Sequence, residues 1–344
     1  MNTEIFEISP HSVDESAISH CADIIKRGGL VAFPTETVYG LGADATDKNA
    51  AKKIYAAKGR PSDNPLIIHI SDPKEAEDYA HTSALYYKLA EAFMPGPLTV
   101  ILPKKNTVPK EVTGGLDTVA VRCPSHPIAR ALISAAGVPI AAPSANISGS
   151  PSPTCAPHVI KDMTGKIDGI IDGGECEIGL ESTIVKLEGN KAILLRPGAI
   201  TADALGCVCE QVEISAAVTE ALKENERPLS PGMKYRHYAP KAPLVLLDGD
   251  SKDVLDFLIN AQKEQNCVIL CYDEESAQLN EENTIKIGRS DDLVAQAQHL
   301  FGALRKADTM SGDIIYAHLP RPDGLGLALY NRMIRAAAHT VRKI

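Results

Sequence analysis

Aromatic side chains are scarce in this sequence: it has no tryptophan and five phenylalanines, and aromatics make up 4% of the chain. A protein that binds single strands by stacking bases on aromatic platforms would have little to work with. Surplus positive charge is missing too. The formal net charge is -9, which argues against coating nucleic acid by bulk electrostatics but leaves room for a local basic pocket. No apolar run approaches the ~20 residues of a membrane helix; typical runs are LTVIL from Leu98 to Leu102 and LVLL from Leu244 to Leu247. The opening stretch MNTEIFEISPHSVDES carries acids where an export signal has basic and apolar regions, so a cytoplasmic location is expected.

Signatures of nucleophilic and metal chemistry are missing as well. The sequence has no GxxxxGK[ST] phosphate loop, no GxSxG elbow, no HExxH and no kinase set. Its eight cysteines include a CxC at Cys207 and Cys209 and a CxxxC at Cys267 and Cys271, neither followed by a second pair at zinc-finger spacing. Buried, reduced thiols are the expectation.

What is present is a chain of 344 residues with 44% hydrophobic and 23% charged residues, enough for two folded domains. Apolar strand patterns alternate irregularly with helical ones, predicting a mixed sheet with flanking helices rather than strict βαβ alternation. Helices are predicted over residues 17–29, 49–58 and 73–93, the first ending at Gly28 and Gly29. Composition changes after residue 209, and ERPLSPGMKYRHYAPKAP packs prolines and basic residues together, as a linker would. The division is therefore residues 1–209 as a first domain, 210–241 as a linker, and 242–344 as a smaller, Rossmann-like α/β domain. In that last domain Arg332 and Arg335 read as a solvated or partner-facing helix surface.

Three segments could carry chemistry. FPTETVYGLGADA leaves an apolar strand through hydroxyls (Thr35, Thr37), the Glu36 carboxylate, and Gly40 and Gly42, which would let a ligand approach the backbone, although a tight structural turn fits the same letters. KGRPSDNPLIIHI sets Lys58 and Arg60 two apart; two cations held together suit an anion between them, although a solvated surface pair fits the same letters. His69 sits inside the following strand, as a core histidine or a ligand. APSANISGSPSPT supplies the neutral donors and acceptors Ser144, Asn146, Ser148 and Ser152, in a phosphate-gripping loop or an ordinary turn. Arg122, Ser182 and Arg196 each end an apolar run, where an arginine must be paired or face a cleft. Cations and hydroxyls without a nucleophile favour catalysis by positioning and charge stabilisation.

Taken together, PTETVYGLG, KGRPSDNPL, PGPLTVIL, VAVRCP, PSANISG and LESTIV resemble the YrdC-like threonylcarbamoyl-AMP synthases, and SPGMKYRHYAP with its α/β tail resembles the long, two-domain branch. The similarity runs from about Gly28 to the end of the chain. It implies a YrdC-like twisted mixed sheet and synthesis of threonylcarbamoyl-AMP and pyrophosphate from L-threonine, bicarbonate or CO2 and ATP with Mg2+. That product feeds tRNA t6A modification, through a downstream tRNA threonylcarbamoyl transferase. The resemblance implies Lys58, Arg60, Ser144 and Asn146 for the ATP phosphates and the carbonate-derived group. It implies Thr35, His69, Arg122, Ala142 and Ser182 around threonine, and Ser62, Thr118, Ser152 and Arg196 on the nucleotide side. His237 and Tyr238, with Tyr235 as a substitute, would close over ATP as part of a lid, and Mg2+ would ride on the phosphates. An RNA-binding protein, a carbamoyl-transferring enzyme and a nucleotide-binding regulator without turnover are the competing readings; any tRNA binding is expected to be weak or indirect.

Overall fold

The computed structural model describes residues 2–220 and 237–344. They divide into two compact units: residues 2–148 with 152–220, and residues 149–151 with 237–344.

The first unit opens with β1 (Glu4–Glu7), α1 (Glu15–Lys26), β2 (Val31–Phe33), β3 (Gly40–Asp44), α2 (Lys48–Lys58) and β4 (Ile67–His69). It continues through α3 (Ala76–Tyr79), α4 (Ala84–Phe93), β5 (Leu98–Pro103), α5 (Lys110–Thr113), β6 (Thr118–Arg122) and α6 (Pro127–Ala136). β7 (Ile140–Ala141), α7 (Ala156–Met163), β8 (Gly169–Asp172), β9 (Thr183–Glu188), β10 (Lys191–Arg196), α8 (Ala202–Gly206) and β11 (Gln211–Ile214) complete it. The strands form one 11-stranded mixed sheet in the order β1-β8-β2-β3-β7-β4-β6-β5-β9-β10-β11.

α1 begins where the Asp14 carboxylate accepts from the amides of Ser16 (2.9 Å) and Ala17 (3.1 Å), satisfying two donors that the first turn leaves open. Its apolar positions Ile18, Cys21, Ala22 and Ile25 follow helical spacing and pack with Ile128, Leu132 and Ile133 of α6 over Val31, Phe33 and Ile171. This core fixes the strand ends from which the site residues emerge.

Three expectations are corrected. The helix expected over 73–93 is interrupted: α3 ends at Tyr79, Ala80 pairs with Lys104 in an isolated bridge, and Ser83 caps α4 by accepting from the Tyr86 amide. Gly40 and Gly42 lie inside β3 rather than in a ligand loop. A Cβ on Gly42 would come within 2.7 Å of the Phe33 ring and 2.8 Å of Ile140, so this glycine serves close packing. The first sheet also passes residue 209, because β11 pairs with β10 from Lys191–Gln211 to Leu194–Ile214. A composition change marked the proline-rich stretch and missed a short edge strand before it.

The second unit is a five-stranded parallel sheet in the order β14-β13-β15-β12-β16. Its elements are β12 (Leu244–Asp248), α9 (Ser251–Glu264), β13 (Cys267–Cys271), β14 (Thr284–Lys286), α10 (Leu293–Ala307), β15 (Ile314–His318), α11 (Gly326–Ala336) and β16 (Val341–Lys343). β12, β13 and β15 are nearly continuous apolar runs, as strands covered on both faces must be. Arg332 overturns the surface reading of α11: it is fully buried, donates to Asn331 Oδ1 at 2.9 Å and lies 5.9 Å from the Tyr238 ring centre. All eight cysteines are free, with only Cys207 exposed.

Candidate active site

Lys58 ends α2, where Gly59 in the left-handed region terminates the helix. Its side chain turns inward until 2% of the residue is exposed. There Nζ donates to the Ser144 carbonyl oxygen, to the Asn146 carbonyl oxygen at 2.6 Å, and to Asn146 Oδ1 at 3.3 Å. Ser144 Oγ donates to that same Oδ1 at 2.5 Å, and the Lys58 carbonyl accepts from the Ser148 amide. The two motifs expected to share a phosphate thus meet, 88 residues apart, around one ammonium. Arg60 follows, half-buried, with its guanidinium on the carbonyls of Asn64 and Pro65. Ser62 is exposed in the same turn.

A second cluster lies on neighbouring strands. Gly40 bridges Ser144, Ile140 pairs with His69, and His69 pairs with Arg122, so the ends of β3, β7, β4 and β6 stand side by side. Arg122, at the end of β6, forms a buried ion pair with Glu36 (Nη2 to Oε1, 2.7 Å). Beyond that pair, Glu36 Oε2, Arg122 Nε and His126 Nδ1 are buried with no hydrogen-bond partner among the described residues. A buried carboxylate and guanidinium with open hydrogen-bonding capacity are costly to an isolated protein. They suit a small ligand carrying both charges.

Burial and, after it, the Arg122 guanidinium lower the His69 imidazole to about 3. The ring is therefore neutral, and because the Ile140 carbonyl 3.3 Å away can only accept, Nδ1 carries the proton. Burial also lowers His126, opposed by the nearby Glu36 and Glu177 carboxylates. Thr35 Oγ1 donates to the Val38 carbonyl at 2.6 Å and accepts from the amides of Thr37 and Val38, shaping the turn that carries Glu36. Ala142, buried, donates its amide to the Ile67 carbonyl.

Ser182 and Arg196, assigned to different substrates by the resemblance, touch each other. Arg196 Nε donates to the Ser182 carbonyl and Nη2 to Ser182 Oγ, both at 3.0 Å, and Oγ also bonds Thr99 Oγ1 at 2.8 Å. Ser152 is buried and donates to Glu181. Thr118 begins β6, four residues from Arg122 and so roughly 13 Å away along the strand. His237 and Tyr238 belong to the second unit, where the Tyr238 ring lies against Phe301 at 5.1 Å. Tyr235 and the rest of the 221–236 stretch are outside the described residues.

Sequence reasoning passed over Glu36 as a site residue, although it named the carboxylate, and it missed His126 and Thr99. A threonine within the apolar run LTVIL was the available signal for Thr99, since such a run seldom carries a hydroxyl without a partner for it.

Strand ends that gather buried cations, hydroxyls and a carboxylate define an enzyme that holds charged small molecules and works by placing them. The comparisons carry this further. Residues 23–198 match the family model of the Sua5, YciO and YrdC proteins, described as "Telomere recombination", and residues 200–338 match that of the threonylcarbamoyl-AMP synthase C-terminal domain. The Bacillus subtilis threonylcarbamoyl-AMP synthase is 44% identical over 96% of this chain and 95% of its own. The Pyrococcus abyssi protein of that name is 46% identical over 96% and 97%. A crystal structure of Pyrococcus abyssi Sua5 complexed with L-threonine superposes with a TM-score of 0.90 at 43% identity, covering 99% of this chain and 100% of that one. Escherichia coli YciO matches 57% of this chain and 96% of its own at 29% identity, with a TM-score of 0.52. The chain belongs to the threonylcarbamoyl-AMP synthase family, in its two-domain form.

Proposed function

We propose that this enzyme is a nucleotidyltransferase that condenses L-threonine, bicarbonate or CO2, and ATP into threonylcarbamoyl-AMP and pyrophosphate. The observation that carries the reading is the buried Glu36–Arg122 pair with its open atoms, set beside the Lys58–Ser144–Asn146 cluster. Threonine is a zwitterion. Arg122 receives its carboxylate, and the free Oε2 of Glu36 accepts from its ammonium, so the amino acid completes both buried groups.

Once the ammonium gives up a proton, the amine adds to CO2, and loss of a second proton from nitrogen to solvent yields the carbamate anion. The carbamate oxygen then attacks the α-phosphorus of ATP, and the bond to pyrophosphate breaks. Negative charge gathers in the second step, and Lys58 and Arg60 are the cations placed to offset it, with Ser144 and Asn146 positioning the phosphates. The Arg196–Ser182–Thr99 strap fixes the threonine-side wall; Ala142 lines it, and Thr35 holds Glu36 in place. Ser62, Ser152 and Thr118 face the nucleotide. Among the described residues no group of three His, Cys, Asp or Glu side chains is placed to hold a metal, and Mg2+ enters as part of the MgATP substrate. Burial keeps water from the carbamate and from the mixed anhydride. A transferase acting on tRNA then consumes that anhydride to complete t6A. Among the described residues no helix is long and apolar enough to cross a membrane, and the enzyme works in the cytoplasm on this reading.

Purified protein incubated with MgATP, bicarbonate and a panel of amino acids tests the proposal by pyrophosphate release. Release that requires both bicarbonate and L-threonine is expected. Release without threonine would replace this reading with another ATP-consuming reaction, and ATP binding without release would replace it with a nucleotide-binding regulator.

A further inference from the structure

The second unit has a cavity of about 530 Å3 that the synthase chemistry does not use. It lies at the carboxyl ends of the parallel strands, lined by residues that follow β12, β13 and β15. In open parallel sheets ligands collect at this edge, where chain connections diverge. Here β13 connects toward β14 on one side and β15 connects toward β16 on the other, so the crevice between β13 and β15 is such a point.

Two side chains in the lining are buried and hydrogen-bonded, and one of them keeps an unused acceptor. His318, 7% exposed, has Nε2 on the Glu275 carboxylate at 2.9 Å. A carboxylate can only accept, so Nε2 is the donor of this contact, and the pair fixes the ring in the wall of the cavity. Gln296, 3% exposed, donates Nε2 to the carbonyls of Arg289 (2.7 Å) and Ser290 (3.2 Å), which leaves Oε1 as an acceptor with no partner among the described residues. The lining also carries the exposed carboxylates of Asp248, Asp250 and Asp323, none in an ion pair with a described residue. Tyr272, stacked on His318 at 4.5 Å, adds an aromatic wall.

This lining selects its ligand class. The Gln296 acceptor and the carboxylates of the lining repel phosphate, and the loop after β12 lacks the glycine-rich pattern that cradles one. The exposed Arg321 is the cation among the described lining residues, opposed by the aspartates. No described cluster of three His, Cys, Asp or Glu side chains could ligate a metal. A small organic cation with several N–H donors satisfies the Gln296 acceptor, the carboxylates of the lining and the aromatic wall together. We propose that this cavity is a second binding site, for a polyamine or guanidine compound, separate from the synthase site.

Isothermal titration of the full chain with spermidine and with agmatine, beside adenosine and MgCl2, tests it. Saturable one-to-one binding of an amine probe is expected, weakened about tenfold or more by Gln296→Leu and by Asp248→Asn with Asp323→Asn. These variants keep the Glu275–His318 pair, and thermal melts check that they fold. Glu264→Gln with Glu281→Gln removes the same charge from exposed positions of the same unit and is expected to leave the affinity unchanged. Equal loss in that control would reduce the effect to bulk attraction by an acidic protein and overturn the site. Saturable adenosine binding in place of amine binding would overturn the ligand class. No saturable heat with either amine up to about 10 mM would overturn the proposal altogether.

Discussion

The two units gather opposite charges. In the first, Lys58 and Arg122 are drawn into the protein among carbonyls and a single carboxylate. In the second, Asp248, Asp250 and Asp323 line a cavity that also presents the Gln296 acceptor. The net charge of -9 averages over both. It excludes a protein coated in positive potential and says nothing of which pocket holds an anion, because a buried cation two or three ångströms from its partners acts far more strongly than distant, screened surface charge. The sheets differ in the same spirit. Short mixed strands let loops from many points converge on one site, whereas the parallel sheet confines its cavity to one edge.

The largest test of this contrast removes the ammonium. Lys58→Ala is expected to lower kcat for pyrophosphate release about 10²–10³-fold, the usual loss for a preorganised group that stabilises developing charge. Glu264→Gln, an exposed change in the other unit, should leave release unchanged. A fully active Lys58→Ala enzyme would detach the chemistry from this cluster.

A sharper division is expected within the first unit. Arg122→Lys keeps the charge and loses the planar fork, so one ammonium must serve both Glu36 and the threonine carboxylate. The KM for threonine should rise about 10–100-fold while the KM for ATP stays nearly constant. Steady-state kinetics with each substrate varied in turn would decide it, and equal rises in both constants would refute separate subsites.

How much of this was legible in the sequence depended on whether a residue's role is local. β2, β5 and β6 and the parallel strands β12, β13 and β15 announce themselves as apolar runs. β1 and β11 do not: they are edge strands with mostly exposed residues, and partners far along the chain stabilise them. Lys58, Ser144 and Asn146 could be named from their motifs, but the motifs do not say that the ammonium is held by two backbone carbonyls. Glu36 looked like one polar letter in a turn, and only the fold brings β6 close enough to make it the partner of Arg122. Arg332 was misjudged for the same reason. Helical spacing shows which face of α11 it occupies, and burial of a guanidinium depends on acceptors that the spacing cannot reveal.

The smallest effect concerns His69, whose neutrality the first unit enforces. An exposed histidine titrates near 6.5, while burial and Arg122 hold this one at about 3 in the folded protein. Above the unfolded value both states are neutral and the group contributes no pH dependence. As pH falls below it the unfolded chain takes up a proton that the folded chain refuses, so stability declines by up to about 1.4 kcal/mol per pH unit from this group. His126, lowered in the same direction, adds to the slope. Replacing His69 with Gln removes the titration and keeps a side-chain donor for the Ile140 carbonyl. Denaturant unfolding followed from pH 7 to pH 4.5 is therefore expected to give the variant a shallower loss of stability than the parent. Parallel slopes would mean that the folded protein protonates this ring, and with it that the second cluster admits a positive charge beside Arg122.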